Sequence, residues 1–238
     1  MMGQEAVYPD RKMSFDYDVE EINARYRKLY SALIYDVLEI EFGMTGRAFA
    51  SGIYPLTPDM KAAGPAFTVH CISTPSRDEY KHTMRLAMLK SMTPGCIQVR
   101  DTQGDVSCGQ FGEISATAAK QEGCVGAVID GSTRDSNFLI NMGFPTFCRF
   151  RNPGEALGRF MAVDYQIPIY VKGLDGQLLI QPGDYIFGDN DGVVVVPREL
   201  TVAVLEKAEA MRATENQTRQ ALLDGMSAIK VVEKYGRF

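Results

Sequence analysis

Three side chains near the middle of the chain have the types and placement to do chemistry: Glu113 and the adjacent pair Arg134 and Asp135. Glu113 follows Gly112 at the head of an alanine-rich run. Arg134 follows Gly131-Ser132-Thr133, which closes an apolar run from Cys124 to Asp130. Both segments read as a loop giving way to a helix N-terminus, where free backbone N–H groups and the helix dipole favour anions. A carboxylate substrate bound there would take the amides of Ile114 and Ser115 and a two-pronged contact from Arg134. Taken singly, an acid in a first helical turn is commonly a dipole partner, and an Arg beside an Asp a solvated pair. Three such residues on one sheet edge, each after a glycine-bearing loop, favour a site.

The chain has only two histidines, His70 and His82, so the usual bases of hydrolase triads and ligands of zinc sites are scarce. A metal would sit on carboxylate oxygens, which suits Mg²⁺ or Mn²⁺. His70 on a strand and His82 on a helix read as structural or exposed. Gly188-Asp189-Asn190-Asp191-Gly192 has the composition of a calcium loop, but Phe187 and Arg198 stand where that loop needs acids. It reads as a hairpin turn. Ser31 and Asp36 share the first helical segment, with Asp36 as a surface or capping acid. No G-x-G-x-x-G follows a strand and no Walker lysine motif occurs, so nucleotide binding has no support.

The elements that position these residues follow from periodicity. Apolar residues from Asp18 to Phe42 recur at three and four spacing, predicting one long helix or two short ones. Pro55, Pro58 and Gly64 mark a loop before a strand at Ala66–Ile72. A short helix is expected over Asp78–Lys90, then a strand at Cys96–Asp101, a helix from Glu113 ended by Gly123, and a strand at Cys124–Asp130. A helix from Arg134 to about Met142 and a strand at Phe144–Arg149 complete a strand-helix-strand-helix-strand order, which implies parallel strands with right-handed crossovers. Glu113 and Arg134-Asp135 then share the carboxyl edge of the sheet. Short β runs from Ile167 to Val196 predict hairpins in a second, partly antiparallel sheet, and Glu199–Tyr235 is helical by composition.

With 238 residues the chain falls between one and two domains, and 45% apolar with 23% charged residues is ordinary globular usage. The absence of a linker or repeat predicts one domain over 1–238, with helical extensions at about 18–42 and 199–235. A net charge of −5 argues against nucleic acid or anionic lipid as a partner. Five cysteines with no C-x-x-C pair predict reduced thiols in a cytoplasmic protein. The longest aliphatic run is Val193–Val196 and the first residues are charged, so neither a membrane span nor an export signal is expected.

The run Gly112-Glu113-Ile114 together with Gly126-Ala127-Val128-Ile129-Asp130-Gly131-Ser132-Thr133-Arg134-Asp135 resembles the RraA-like family. That family comprises the 4-hydroxy-4-methyl-2-oxoglutarate aldolases and the regulators of ribonuclease E activity. Ala63–Val69, Gly143–Phe147 and Gly183–Gly192 support the resemblance, which covers roughly residues 25–210. It implies a swivelling β/β/α three-layer α/β fold, assembled as homotrimers or homohexamers with sites near subunit interfaces. It also implies a class II aldolase using a divalent metal, which cleaves a 4-hydroxy-2-oxo acid to pyruvate and often decarboxylates oxaloacetate. On that likeness Arg134 is the substrate-binding arginine, Asp135 the metal ligand, and Glu113 the acid that orients a water. Gly112, Ile114 and Ser115 form the substrate-binding turn. Glu113 is a methylene longer than the family's usual Asp, and Phe138 stands where its aldolases commonly carry an acid. The regulator branch lacks the Arg-Asp pair, so its presence favours an enzyme over a non-catalytic protein that binds a ribonuclease. The physical logic agrees: breaking C3–C4 of a 2-oxo acid leaves an enolate, which a cation and an arginine stabilise. No lysine lies at this edge for a Schiff base.

Overall fold

The structure is a computed structural model describing residues 8–77 and 81–236, with the side chains of 81–83 outside the description. Ten strands and seven α-helices are described: α1 (Val19–Tyr26), α2 (Ser31–Phe42), β1 (Tyr54–Pro55), β2 (Ala62–Ser73), α3 (Lys81–Lys90), β3 (Ile97–Asp101), α4 (Glu113–Gln121), β4 (Gly126–Thr133), α5 (Ser136–Asn141), β5 (Thr146–Arg151), β6 (Phe160–Tyr165), β7 (Ile169–Gly173), β8 (Gly176–Ile180), β9 (Tyr185–Asp189), β10 (Gly192–Val196), α6 (Thr201–Leu223) and α7 (Ala228–Tyr235). The main sheet runs β1-β5-β4-β3-β2-β9-β10, with β6 also paired to β2, and β7–β8 form a separate hairpin. Strands β2, β3, β4 and β5 are parallel, whereas β6 and β9 join β2 antiparallel.

Alternation along the strands separates three apolar clusters. Ile97, Val99, Val128 and Phe147 face inward, against Val171, Ile180, Ile186 and Val195 of the hairpins. Phe67, Val69, Ala127 and Ile129 face outward, under Ala116 and Ala119 of α4 and Leu139 of α5. On the far side α1, α2 and α6 cover β9 and β10 through Tyr26, Leu33, Leu205, Tyr185 and Phe187. This is the expected β/β/α arrangement.

The N-terminal helical segment is two helices. Asp18 caps α1 by accepting from Glu20 and Glu21 N–H. The buried Asp189 carboxylate accepts from Ser31 N–H at 2.8 Å and from its hydroxyl at 2.7 Å, so α2 starts afresh where β9 ends. The Asp189–Gly192 segment is thus a hairpin turn that caps a helix. Three expectations change in detail. Strand β4 runs on through Gly131-Ser132-Thr133, because the Ser132 and Thr133 hydroxyls bond to the Cys108 and Phe111 carbonyls inside the protein. Strand β6, whose residues are mostly half-buried, was not anticipated. The β9–β10 hairpin is stitched to β2 rather than to β7–β8. The start of the helix expected from Asp78 and the side chain of His82 lie outside the described residues. All five cysteines are buried and unpaired, and among the described residues no helix is long and apolar enough to cross a membrane.

Candidate functional site

The carboxyl ends of β3 and β4 and the start of α4 meet as the topology requires. The loop 109–112 is tied to the end of β4: Arg134 N–H donates to the Phe111 carbonyl at 2.8 Å, and Ser132 N–H to Gln110 Oε1 at 2.7 Å. This brings Glu113 beside Asp135, whose Oδ2 accepts from Glu113 N–H at 3.2 Å. The amides of Ile114 and Ser115, in the first turn, have no intrahelical acceptor.

Because β4 is longer than its sequence suggests, Arg134 and Asp135 precede the six-residue helix α5 instead of opening it. Asp135 takes the left-handed conformation, φ 59°, ψ 31°, which costs a non-glycine residue about 1 kcal/mol. Its carboxylate does not cap its own helix but turns back toward α4. Gly112 makes the approach possible. Its backbone is extended, yet a Cβ there would stand 2.5 Å from Asp135 Oδ2 and 3.1 Å from Arg134 Cγ. Gly109 serves likewise, since a Cβ would meet the Asn152 carbonyl at 2.5 Å and Arg134 Cβ at 2.8 Å.

Gly112, Ile114, Ser115, Arg134 and Asp135 line one cleft of about 560 Å³. The Glu113 carboxylate does not. Its Oε1 accepts from Thr117 Oγ1 at 2.9 Å, and the side chain faces a neighbouring depression shared with Phe138 and Met142. Phe138 is 65% exposed and Ile114 is 76% exposed, so an apolar rim flanks this end of the cleft.

The donor chemistry fits a hard divalent cation. Asp135 offers a 39% exposed carboxylate, held by an amide and 3.6 Å from Arg134 Nε. Among the described residues no cluster of three His, Cys, Asp or Glu exists. One carboxylate with water and substrate oxygens suits Mg²⁺, which keeps much of its hydration, and not zinc.

Two groups of polar residues escaped the reading of the sequence. The same cleft is also lined by Arg77, Arg85 and Arg100. Arg100 was readable in principle: Gln98 and Arg100 alternate with Ile97 and Val99 on an expected strand, which puts the two polar side chains on one face. On the other side of the sheet edge, a second crevice holds His70. His70 Nδ1 lies 2.7 Å from Oδ2 of the buried Asp101, which Gln103 also contacts. Nearby Asp130 pairs with Arg149, and burial pushes its carboxyl above the usual range despite that guanidinium. His70 thus has a structural partner, and the crevice is separate from Arg134.

Comparison with known proteins places the chain in a family. Residues 31–195 match the model of the RraA-like family, described as Aldolase/RraA. A protein of Halalkalibacterium halodurans named "Putative 4-hydroxy-4-methyl-2-oxoglutarate aldolase" is 32% identical over 87% of this chain and 90% of its own length. Protein DlpA of Legionella pneumophila is 27% identical over 90% of this chain, but the match spans only 33% of DlpA. Among solved structures, one described as a novel cellulase from gut-associated microbes superposes with a TM-score of 0.79 at 34% identity, covering 86% of this chain and 90% of that one. Streptomyces coelicolor RraAS2, described as an unusual member of the RNase ES inhibitor RraA family, superposes with a TM-score of 0.71 at 27% identity, covering 84% and 97%. The chain belongs to the RraA-like family.

Proposed function

We propose that this protein is a divalent-metal-dependent lyase that cleaves a 4-hydroxy-2-oxo acid, of the 4-hydroxy-4-methyl-2-oxoglutarate kind, to pyruvate, and that it also decarboxylates oxaloacetate. The observation that carries the proposal is Asp135, strained into the left-handed region and anchored on the Glu113 amide beside Arg134. Backbone strain persists where surrounding structure enforces it, and it concentrates at functional sites. The aldolase name of a relative 32% identical supports the reaction class.

In this reading Arg134 and the amides of Ile114 and Ser115 hold the carboxylate and 2-oxo group in one plane. Asp135 would hold Mg²⁺ or Mn²⁺, which would supply Lewis-acid stabilisation of the developing enolate charge. Glu113 accepts the C4 hydroxyl proton through a water, after its carboxylate leaves Thr117. As C4 becomes a carbonyl, the C3–C4 electron pair passes to the three-carbon fragment as an enolate, and protonation at C3 gives pyruvate. The exposed Ile114 and Phe138 beside the cleft are then covered by a second copy in a homotrimer or homohexamer. The reaction belongs in the cytoplasm, where the unpaired cysteines stay reduced.

The test is release of pyruvate from oxaloacetate and from 4-hydroxy-4-methyl-2-oxoglutarate, with Mg²⁺, with Mn²⁺ and with a chelator. Metal-dependent release is expected. No release under any condition would overturn the lyase and favour a non-catalytic protein that binds a ribonuclease; Streptomyces RraAS2 is described as an unusual member of an RNase ES inhibitor family.

A further inference from the structure

We infer that Arg77, Arg85 and Arg100 form a second oxyanion subsite in the same cleft as Arg134, which takes a carboxylate or phosphate at the far end of the substrate. The inference rests on the proposed reaction only for the end of the molecule that Arg134 holds.

Arg100 carries the argument. It projects from β3 on the face shared with Gln98 and is only 8% exposed, yet it lines the cleft. Its Nε donates to Gln98 Oε1 at 2.7 Å, its Nη1 donates to the Gln110 carbonyl at 3.1 Å, and its guanidinium lies 5.1 Å from the Phe111 ring centre. Every one of these partners is neutral. Guanidinium does not lose its proton in proteins, so Arg100 stays charged inside the fold. Buried charges are otherwise paired. Among the described residues, no carboxylate is in ion-pair contact with Arg77, Arg85 or Arg100.

The neighbours deepen the imbalance. Arg85 bears on Arg100 as a like charge, and burial together with that charge depresses the Arg100 pKa. Arg77 comes from the loop after β2, and its side chain lies against Gly158 in the loop before β6. Among the described residues the cleft sets four arginines against two acids, Glu155 and Asp135, and Asp135 Oδ2 lies 3.6 Å from Arg134 Nε. Exposed arginines alone commonly face only water. A buried third one, reaching the same cavity with no carboxylate among the described residues in ion-pair contact, is placed to take an anion from outside. The planar fork suits carboxylate and phosphate alike.

Binding is measured by calorimetry in saturating Mg²⁺, using three compounds that cannot undergo the retro-aldol step: 2-oxobutyrate, 2-oxoglutarate and phosphonopyruvate. The latter two carry a distal carboxylate and a distal phosphonate. The unmodified chain is expected to bind at least one of them ten or more times tighter than 2-oxobutyrate, and the tighter of the two identifies the distal group. Arg77→Ala with Arg85→Ala should erase that preference while leaving 2-oxobutyrate within about twofold. Arg100→Met, checked for folding by its melting temperature, should do the same. Equal affinity for all three compounds, no binding by any of them, or an unchanged preference in Arg77→Ala with Arg85→Ala would overturn the subsite. Because no turnover is needed, a subsite that fails while pyruvate is still released leaves the lyase standing, and the converse result is equally readable.

Discussion

Adding one methyl group at Gly112 should separate the function of the cleft from the stability of the fold. The Gly112 backbone is extended, at φ −150°, so alanine brings no conformational strain. The new Cβ would nevertheless stand 2.5 Å from Asp135 Oδ2, where ordinary contact begins near 3.4 Å. Asp135 must retreat by about 1 Å, and its hydrogen bond from Glu113 N–H, already 3.2 Å, is lost. The stability cost is small, because the obstacle is the far end of a partly exposed side chain. It lies near the lower end of overpacking costs, at about 1 kcal/mol. The functional cost is larger, since a 1 Å displacement at a site can cost roughly 10²-fold in rate, or about 2.7 kcal/mol of barrier. Oxaloacetate decarboxylation across a Mg²⁺ titration, with thermal melts on the same preparation, measures both. Gly112→Ala should melt within a few degrees of the parent but turn over far more slowly and need more Mg²⁺. A folded variant with turnover and Mg²⁺ dependence within about twofold of the parent would refute the claim that Asp135 is held in a productive place.

Glu113→Gln should depress retro-aldol cleavage by about 10² to 10⁴ while affecting oxaloacetate decarboxylation far less, because only cleavage needs a proton removed; equal losses would reduce Glu113 to a partner of the helix dipole. Asp135→Asn should keep the parental melting temperature, since asparagine tolerates the left-handed region, whereas Asp135→Ala should lose about 1 kcal/mol; equal melts for the two would show the backbone there to be unstrained. Glu209 is held below its ordinary 4.5 by the two-pronged Arg25 contact, which ties α1 to α6. Its contribution is therefore present above pH 4.5 and fades as pH falls through the lowered value. Half-exposed, the pair should be worth no more than about 0.5 kcal/mol, so denaturant curves of Glu209→Gln should differ slightly from the parent at pH 7 and converge with it near pH 3.

Much of this architecture was readable from the chain. The strand ending at Asp130 is a nearly continuous apolar run, as double-sided burial demands, and its spacing from the strand ending at Asp101 fixed the edge on which Glu113 and Arg134 meet. The details that failed depend on contacts that composition does not carry. Gly131-Ser132-Thr133 has turn residues, but its buried hydroxyls find carbonyls in loop 108–111, so the strand continues. Phe160–Tyr165 lies half-buried along one edge of β2 and has no strong alternation to betray it. The direction of the Glu113 side chain is set by Thr117 one turn later, and no N-terminal motif specifies that rotamer.

The sharing of β2 also bears on how the chain folds. One edge of β2 pairs with β3, close in sequence, but the other waits for β6 and for β9, whose Gly188 meets Ala62. During synthesis that edge stays open, with its row of unpaired amides and apolar side chains, until most of the chain has emerged. Contacts of such long sequence separation form slowly, so closure of the β2–β9 seam should limit refolding and be the stage most exposed to aggregation. Hydrogen-exchange pulse labelling during refolding would then find amides between β3 and β4 protected before those joining β2 to β9, and the opposite order would exclude this route.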